Sequence, residues 1–329
     1  GNRHISHNYA PAPIVLERGE GVRVYDRDGR CYLDFLAGIA VSVVGHAHPR
    51  LVAALTDQVG KLLHVSNGFY TQPQVELMAR LAARSFADRV YLANSGAEAN
   101  EAAIKLARRY QRVVAGTARF EIITFEHGFH GTYGALSATA QPKYHAGFEP
   151  MVPGFVYAPY NDLAAVEARM GAHTAAIMVE LVQGEGGVTP ADRDFIVGLR
   201  AMCDASGALL IVDEAQTGVG RTGRWFAYEH FGVVPDIMTL AKGIAGGVPL
   251  GAMLSSEKVA AGFVRGSHAS TFGGNPLASR AALEVLSIVE EEGLIAHAAA
   301  NGEHFRAGLR GLASRWPIAS VRGLGAMTG

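Results

Sequence analysis

The sequence predicts an α/β fold: a mostly parallel sheet flanked by helices, with a smaller α+β domain drawn from the N- and C-terminal segments. Three observations carry this. From about residue 50, helix-length stretches alternate with short apolar runs, the pattern of parallel strands joined by crossover helices. The runs are apolar throughout, as strands covered on both faces must be. The composition is 49% hydrophobic and 18% charged, with 40 glycines in 329 residues, which suits a buried sheet whose loops approach a ligand closely.

Taken in order, residues 22–25 and 31–35 are β-rich and flank Asp26-Arg27-Asp28-Gly29, whose Asp-Gly pair favours a tight turn, so a hairpin is expected. Strands are then expected at 90–92, 121–125, 176–179, 208–212, 236–240 and 250–254. Helical periodicity returns at 277–292 and in the stretch ending near Arg315, after which 318–321 reads as the start of a strand. A chain of this length exceeds one ordinary compact unit. The expected division is 1–48 as an N-terminal part of the small domain, 49–275 as the large domain and 276–329 as the C-terminal part of the small one. Because it opens on Gly1 and stops at Gly329 inside what reads as a new element, both ends are expected to be incomplete.

Composition also excludes several functions. With 29 Lys and Arg against 30 Asp and Glu, there is no basic excess to hold a phosphate backbone, so nucleic acid is not expected as a partner. Cys31 and Cys203 stand far apart in no metal-ligand spacing, which argues against a disulfide framework and a zinc site and for a reducing, cytoplasmic location. No apolar run reaches membrane-spanning length, and Gly1-Asn2-Arg3-His4-Ile5-Ser6-His7 has no apolar signal core, so a soluble chain with no membrane partner is expected.

The chemistry gathers at strand ends. After Ala93, the small residues Ser95, Gly96 and Ala97 open a helix that is acidic in its first turn and basic in its last. Such a turn presents free backbone N–H groups where a phosphate can sit, although a capped helix without a ligand has the same pattern. Asp213 closes the apolar run ending at Val212, at the edge of the sheet where such folds place ligands. Lys242 follows the next run and precedes Gly243-Ile244-Ala245-Gly246-Gly247; an amine so poorly solvated has a lowered pKa and is a competent Schiff-base nucleophile. A carboxylate about 4 Å from a pyridinium nitrogen is worth roughly 4 kcal/mol at an effective dielectric near 20, which gives Asp213 a task. Phe129 is a candidate to stack on a ring, or equally a core aromatic. Two patterns are set aside. Gly218-Val219-Gly220-Arg221-Thr222-Gly223 has dinucleotide-site spacing but does not directly join a strand to a helix. His46 and His48 are spaced poorly for a metal, and no carboxylate is expected beside them.

These residues, with Asn94-Ser95-Gly96-Ala97-Glu98-Ala99-Asn100-Glu101, Val179-Glu180-Leu181-Val182-Gln183-Gly184-Glu185-Gly186-Gly187, Asp213-Glu214-Ala215-Gln216-Thr217-Gly218, Ala241-Lys242-Gly243 and Ser270-Thr271-Phe272-Gly273-Gly274-Asn275-Pro276, resemble the class III aminotransferases of ornithine and acetylornithine type over nearly the whole chain. The resemblance implies the pyridoxal 5'-phosphate transferase fold type I, with a mostly parallel seven-stranded sheet, in a homodimer whose sites lie between subunits. It assigns Lys242 to the cofactor aldehyde, Asp213 to the ring nitrogen, Gln216 to the ring hydroxyl, Phe129 to stacking, and Ser95, Gly96 and Ala97 to the phosphate. Thr271 would reach the partner's phosphate, Ser270 would lie near the substrate, and Glu185 would help the site take both a basic amino acid and a dicarboxylate. It implies transfer of the terminal amino group of N-acetylornithine to 2-oxoglutarate. Ornithine, succinylornithine, 4-aminobutyrate or an aminoadipate-semialdehyde derivative are alternative donors, and a cofactor-binding protein without transaminase activity is an alternative of another class. One departure matters. The family pattern reads Phe-His-Gly-Arg-Thr, whereas here Phe129-His130-Gly131-Thr132-Tyr133 passes from glycine to threonine without the arginine that clamps a substrate carboxylate.

Overall fold

A computed structural model of the chain describes residues 4–132 and 134–329; Gly1, Asn2, Arg3 and Tyr133, which belong to readings made above, lie outside the described residues. The chain opens with a three-stranded antiparallel sheet, β1 (Leu16–Glu20), β2 (Arg23–Asp26) and β3 (Cys31–Leu33). The expected hairpin is β2 and β3. The strand β3 stops at Leu33 because Asp34 Oδ1 accepts from the N–H groups of Leu36 and Ala37, turning the backbone into the short α1 (Ala37–Ala40). Then come α2 (Pro49–Val59), α3 (Gln72–Arg84), β4 (Arg89–Ala93), α4 (Gly96–Val113), β5 (Glu121–Phe125), α5 (Pro142–His145), β6 (Phe155–Ala158), α6 (Leu163–Glu167) and β7 (Thr174–Val179). A small ribbon, β8 (Val182–Gln183) with β9 (Thr189–Pro190), precedes α7 (Arg193–Ser206), β10 (Leu209–Asp213), β11 (Ile237–Leu240), β12 (Gly251–Ser255) and α8 (Glu257–Ala260). The chain ends in α9 (Pro276–Glu291), α10 (Leu294–Leu312) and the pair β13 (Gly323–Leu324) and β14 (Met327–Thr328).

The central sheet has seven strands in the order β4-β12-β11-β10-β7-β5-β6, and β12 alone runs against the others. Both faces are covered, so successive residues of a strand enter different cores. Leu210 and Val212 pack with Phe195, Ile196 and Leu199 of α7, while Leu209 and Ile211 pack with Ile104 and Leu106 of α4. A further core joins Leu51, Leu77 and Leu81 to Val285 and Ile288 of α9. Each such side chain contributes roughly 1.5–3 kcal/mol by burial. Helix α9 is fixed at its start by Pro276 and by Asn275 Oδ1 accepting from Ala278 N, and α7 is ended by left-handed Gly207.

Strands β1 and β6 and the short β8–β9 ribbon were not anticipated. β6 is a half-buried edge strand of four residues, too short to announce itself by periodicity, and β1 pairs by backbone although its side chains are mostly exposed. The strand expected at 318–321 is a correction: those residues have no ladder partner, and pairing begins at Gly323, where the bonds exchanged by Arg322 and Gly329 close the β13–β14 hairpin.

Candidate active site

With six strands parallel and one reversed, the C-terminal ends of β4, β5, β7, β10 and β11 and the N-terminal end of β12 share one edge of the sheet. A cavity of about 350 Å³ opens there. Ser95, Gly96, Ala97, Phe129, Glu185, Asp213, Gln216 and Lys242 all line it. Ser270 and Thr271 do not: Ser270 Oγ accepts from Asn94 Nδ2 (3.2 Å) and from Gly273 N (2.9 Å), and Thr271 borders a separate recess with Asn67 and Gln74.

The start of α4 is shaped as an anion cup. Ser95 Oγ accepts from Glu98 N at 3.2 Å, while the Glu98 carboxylate reaches back to Asn94 N at 2.8 Å, which leaves the N–H groups of Gly96 and Ala97 for an acceptor from outside the helix. The cup depends on a glycine in the neighbouring strand. Gly251 pairs with Ala93, and a Cβ on it would strike the Ser95 backbone. Gly251→Ala is therefore expected to push Ser95 and α4 outward, lowering stability by roughly 1–3 kcal/mol and weakening cofactor retention; thermal unfolding and dialysis of the holoprotein measure both.

Asp213 lies at the floor of the cavity, buried in a network that crosses four elements. Its Oδ2 accepts from His130 Nδ1 (2.8 Å) and Asn100 Nδ2 (2.7 Å), and its Oδ1 accepts from Ala215 N (3.0 Å). The Thr239 hydroxyl stands 3.2 Å from Oδ1 but 2.7 Å from Asn100 Oδ1, and having one proton it donates to the nearer oxygen. One acceptor site on Asp213 Oδ1 is thereby left open. Burial pushes the Asp213 carboxyl upward, yet the His130 bond and charge, with the Ala215 and Asn100 donors, hold it below its ordinary range. Burial lowers His130, but the hydrogen bond and charge of the same carboxylate, 2.8 Å away, win and raise it.

Lys242 follows β11 in a left-handed conformation (φ 46°) that costs a non-glycine residue roughly 1–3 kcal/mol. Burial holds its ammonium below the ordinary lysine value against the attraction of Asp213, Glu185 and Glu180. Gly184 makes room for Gln216, whose side chain would collide with any Cβ at that position. Asn100, His130, Glu180 and Thr239 received no role from the sequence, although the first three sit inside or beside its motifs; no spacing rule joins positions 100, 130 and 239 to 213.

Glu180, at the end of β7, accepts from Phe129 N at 2.9 Å, and burial pushes its carboxyl from 4.5 to about 7, opposed by His130. The raised value means that the folded chain keeps a proton which the unfolded chain releases. This contribution to stability is complete below pH 4.5 and is lost as pH rises through about 7. Glu180→Gln, which keeps the acceptor for Phe129 N, is expected to remove one proton's share of the slope, about 1.4 kcal/mol per pH unit, in melting curves across that window.

The patterns set aside above also resolve. Gly218 and Gly223 provide close packing: a Cβ would lie 2.7 Å from Leu240 and 2.8 Å from Ala299 of α10, respectively. The expectation that no carboxylate accompanies the imidazoles is corrected, since His46 Nε2 lies 2.7 Å from Asp34 and His48 Nε2 lies 3.1 Å from Glu292. Asp34 was read as part of a strand, and Glu292 is remote in sequence.

A half-buried lysine, an aspartate held by His130 and Asn100, and a helix start with free N–H groups meet on one edge of a mostly parallel sheet. The chain belongs to the class-III aminotransferases, whose family profile matches residues 4–329. It is similar to the acetylornithine aminotransferase of Gloeobacter violaceus, 51% identical over 99% of this chain and 82% of that protein. It is also similar to the succinylornithine transaminase/acetylornithine aminotransferase of Pseudomonas aeruginosa, 46% identical over 100% of this chain and 81% of that one. Among solved structures, the ornithine aminotransferase of Toxoplasma gondii, described with partial occupancy of PLP at its active site, superposes with a TM-score of 0.95 at 37% identity, covering 99% of this chain and 78% of that one. Family membership implies pyridoxal phosphate as cofactor. No described helix is long and apolar enough to cross a membrane.

Proposed function

We propose that this chain is a pyridoxal-phosphate aminotransferase that moves the terminal amino group of N-acetylornithine to 2-oxoglutarate, giving N-acetylglutamate semialdehyde and glutamate. The observation that carries the reading is the convergence of Lys242, Asp213 and the Ser95–Ala97 cup on one cavity. The residues fit the group chemically: the cup supplies N–H donors for a phosphate dianion, and the open acceptor site on Asp213 suits a ring N–H. Ser95, Gly96 and Ala97 would hold the phosphate, Asp213 the ring nitrogen, Gln216 the ring hydroxyl, Phe129 the ring face and Lys242 the aldehyde. When bound, the cofactor supplies an aldehyde that condenses with amines and a ring that accepts the electron pair released at the amine-bearing carbon.

The chain's own residues do the rest. Asp213, fixed as a carboxylate by His130 and Asn100, holds a proton on the ring nitrogen. Lys242 Nζ, its ammonium held below the ordinary lysine value by burial, would take the proton from the amine-bearing carbon of the donor. Phe129 and Val41 give the cavity beside it an apolar wall. Glu185, at the cavity rim, can meet a cationic donor and turn away for a dicarboxylate.

The acetylornithine names of similar proteins support the donor, and the double name of the Pseudomonas relative supports succinylornithine as a second donor for this chain. Side-by-side kcat/KM values for N-acetylornithine, N-succinylornithine, ornithine and 4-aminobutyrate test the reading; a tenfold or greater preference for either of the last two would reject it. The division at 48/49 and 275/276 and a homodimer with shared sites belong to the same proposal. Phe69 and Tyr70 are exposed, as is Phe272 beside Thr271, which supports a covering subunit there.

A further inference from the structure

The strap between β3 and α2 leaves the small sheet and returns to it. Asp34, just past β3, donates its N–H to the carbonyl of Val22 (2.9 Å), and His46 exchanges backbone bonds with Gly21 (2.8 and 2.9 Å). One turn, between β1 and β2, thus holds both ends of residues 35–45. Two glycines let His46 approach: a Cβ on Gly19 would lie 2.6 Å from the His46 Cβ, and one on Gly45 2.8 Å from the Gly21 carbonyl oxygen. The side chains then close the neck, with His46 Nε2 2.7 Å from Asp34 Oδ2. The His46 bond, with the N–H of Ala37, holds the Asp34 carboxyl below its ordinary range. It is therefore an ionised acceptor, and Nε2 is the donating nitrogen.

What the neck encloses is under strain. Ala37, Gly38, Ile39 and Ala40 all have left-handed backbones (φ 49°, 63°, 63° and 64°), which L side chains avoid and a β-branched isoleucine avoids most. Phe35, Leu36 and Ile39 are exposed, so burial of the turn's own side chains does little to hold it. Yet the strap meets the site twice. Val41 lines the cavity, and Val43 packs where Gly243, next to Lys242, has no side chain: a Cβ there would lie 2.6 Å from Val43 Cγ1. Strained segments persist where their surroundings over-determine them. The side-chain bonds that tie this one are those of Asp34 to Leu36 N, Ala37 N and His46, and that of Arg221 Nη2 to the Ala40 carbonyl (3.2 Å).

We infer that Asp34 and His46 are positioning residues of the reaction: their pair clasps the strap, and the strap fixes Val41 in the cavity wall and Val43 against the turn that begins at Lys242. The inference rests on the proposed transamination for its kinetic readout, while the clasp itself is tested on the resting holoprotein.

Three variants at position 46 keep the backbone bonds to Gly21 and change only the clasp. His46→Leu removes the donor at similar volume. His46→Gln carries an amide nitrogen as many bonds from Cβ as Nε2 is, so it still donates to Asp34, whereas His46→Asn places that nitrogen one bond short. Amide hydrogen exchange compares peptides covering 41–45, whose Val41, Ser42 and Gly45 N–H groups bond within the strap, with those of β10. The leucine and asparagine variants should exchange roughly ten- to hundredfold faster in the strap, as loss of a charge-assisted hydrogen bond predicts, with β10 unchanged and the glutamine variant within about threefold of the parent. Unchanged strap exchange in the leucine variant, or acceleration shared equally by β10, overturns the inference. Kinetics read the consequence for the site. A loosened wall must be ordered before the donor binds, so His46→Leu should raise KM for N-acetylornithine roughly tenfold while kcat stays within about threefold. A merely structural role would lower kcat through loss of active protein at unchanged KM; that outcome overturns the inference, as does a glutamine variant no better than leucine. Should the leucine variant not fold, the asparagine and glutamine variants decide both readouts. If the parent transaminates no amine, the proposed function fails while the exchange measurement still decides the clasp.

Discussion

Lys242→Ala is expected to abolish turnover, by at least about 10⁴-fold given the share that a positioned general base alone supplies, and to remove the visible absorbance that a lysine-linked cofactor gives the protein. The fold should survive. The side chain lines a cavity, and the alanine would still occupy a left-handed position stabilised by the turn that follows, so the melting temperature should change little. Lys242→Arg separates the two properties of the amine. A guanidinium retains the positive charge facing Asp213, Glu185 and Glu180 but stays protonated, so it can neither condense with an aldehyde nor accept a proton. It should be as inactive as alanine. Turnover and an unchanged spectrum in either variant would reject the assignment of position 242.

Asp213→Asn should leave the phosphate cup intact and cofactor still bound, while slowing turnover on the order of a thousandfold. That figure is the loss of roughly 4 kcal/mol of attraction for a protonated ring nitrogen, about three pK units, at an effective dielectric near 20. The amide also disturbs its surroundings, because both His130 and Asn100 donate to the same oxygen of Asp213. An asparagine oxygen can satisfy them, but the imidazole no longer faces a charge, and its raised pKa should fall. Pre-steady-state absorbance at the proton-transfer step, followed across pH, reads both effects. A rate unchanged from the parent would remove Asp213 from the reaction.

What could be read from the sequence follows the physics of each feature. Asp213 and Lys242 were legible because each closes an apolar run of a parallel sheet, and the ends of such strands face one edge. The Ser95 helix start was legible from its small residues and charge pattern, and it lines the same cavity as Asp213 and Lys242. His130, Asn100 and Thr239 were not legible as partners of Asp213, because their contact is made by three connections of different length whose closure depends on tertiary packing. The ion pairs of His46 and His48 were missed for the same reason, as each partner comes from another element. The four-residue edge strand β6 gave too little period to register, and the run at 318–321 had strand composition without a neighbour to pair with.

The reversed strand β12 carries one consequence for the protein's synthesis. It lies between β4, which bears the cup, and β11, which bears Lys242, so these two never touch in the sheet until a segment some 150 residues downstream of the cup is inserted between them. A nascent chain still on the ribosome with residue 245 emerged has made both the cup and Lys242, the two halves of the proposed cofactor grip, but has nothing to align them. Loading must therefore wait until the polypeptide beyond Ser255 has cleared the exit tunnel, late in translation.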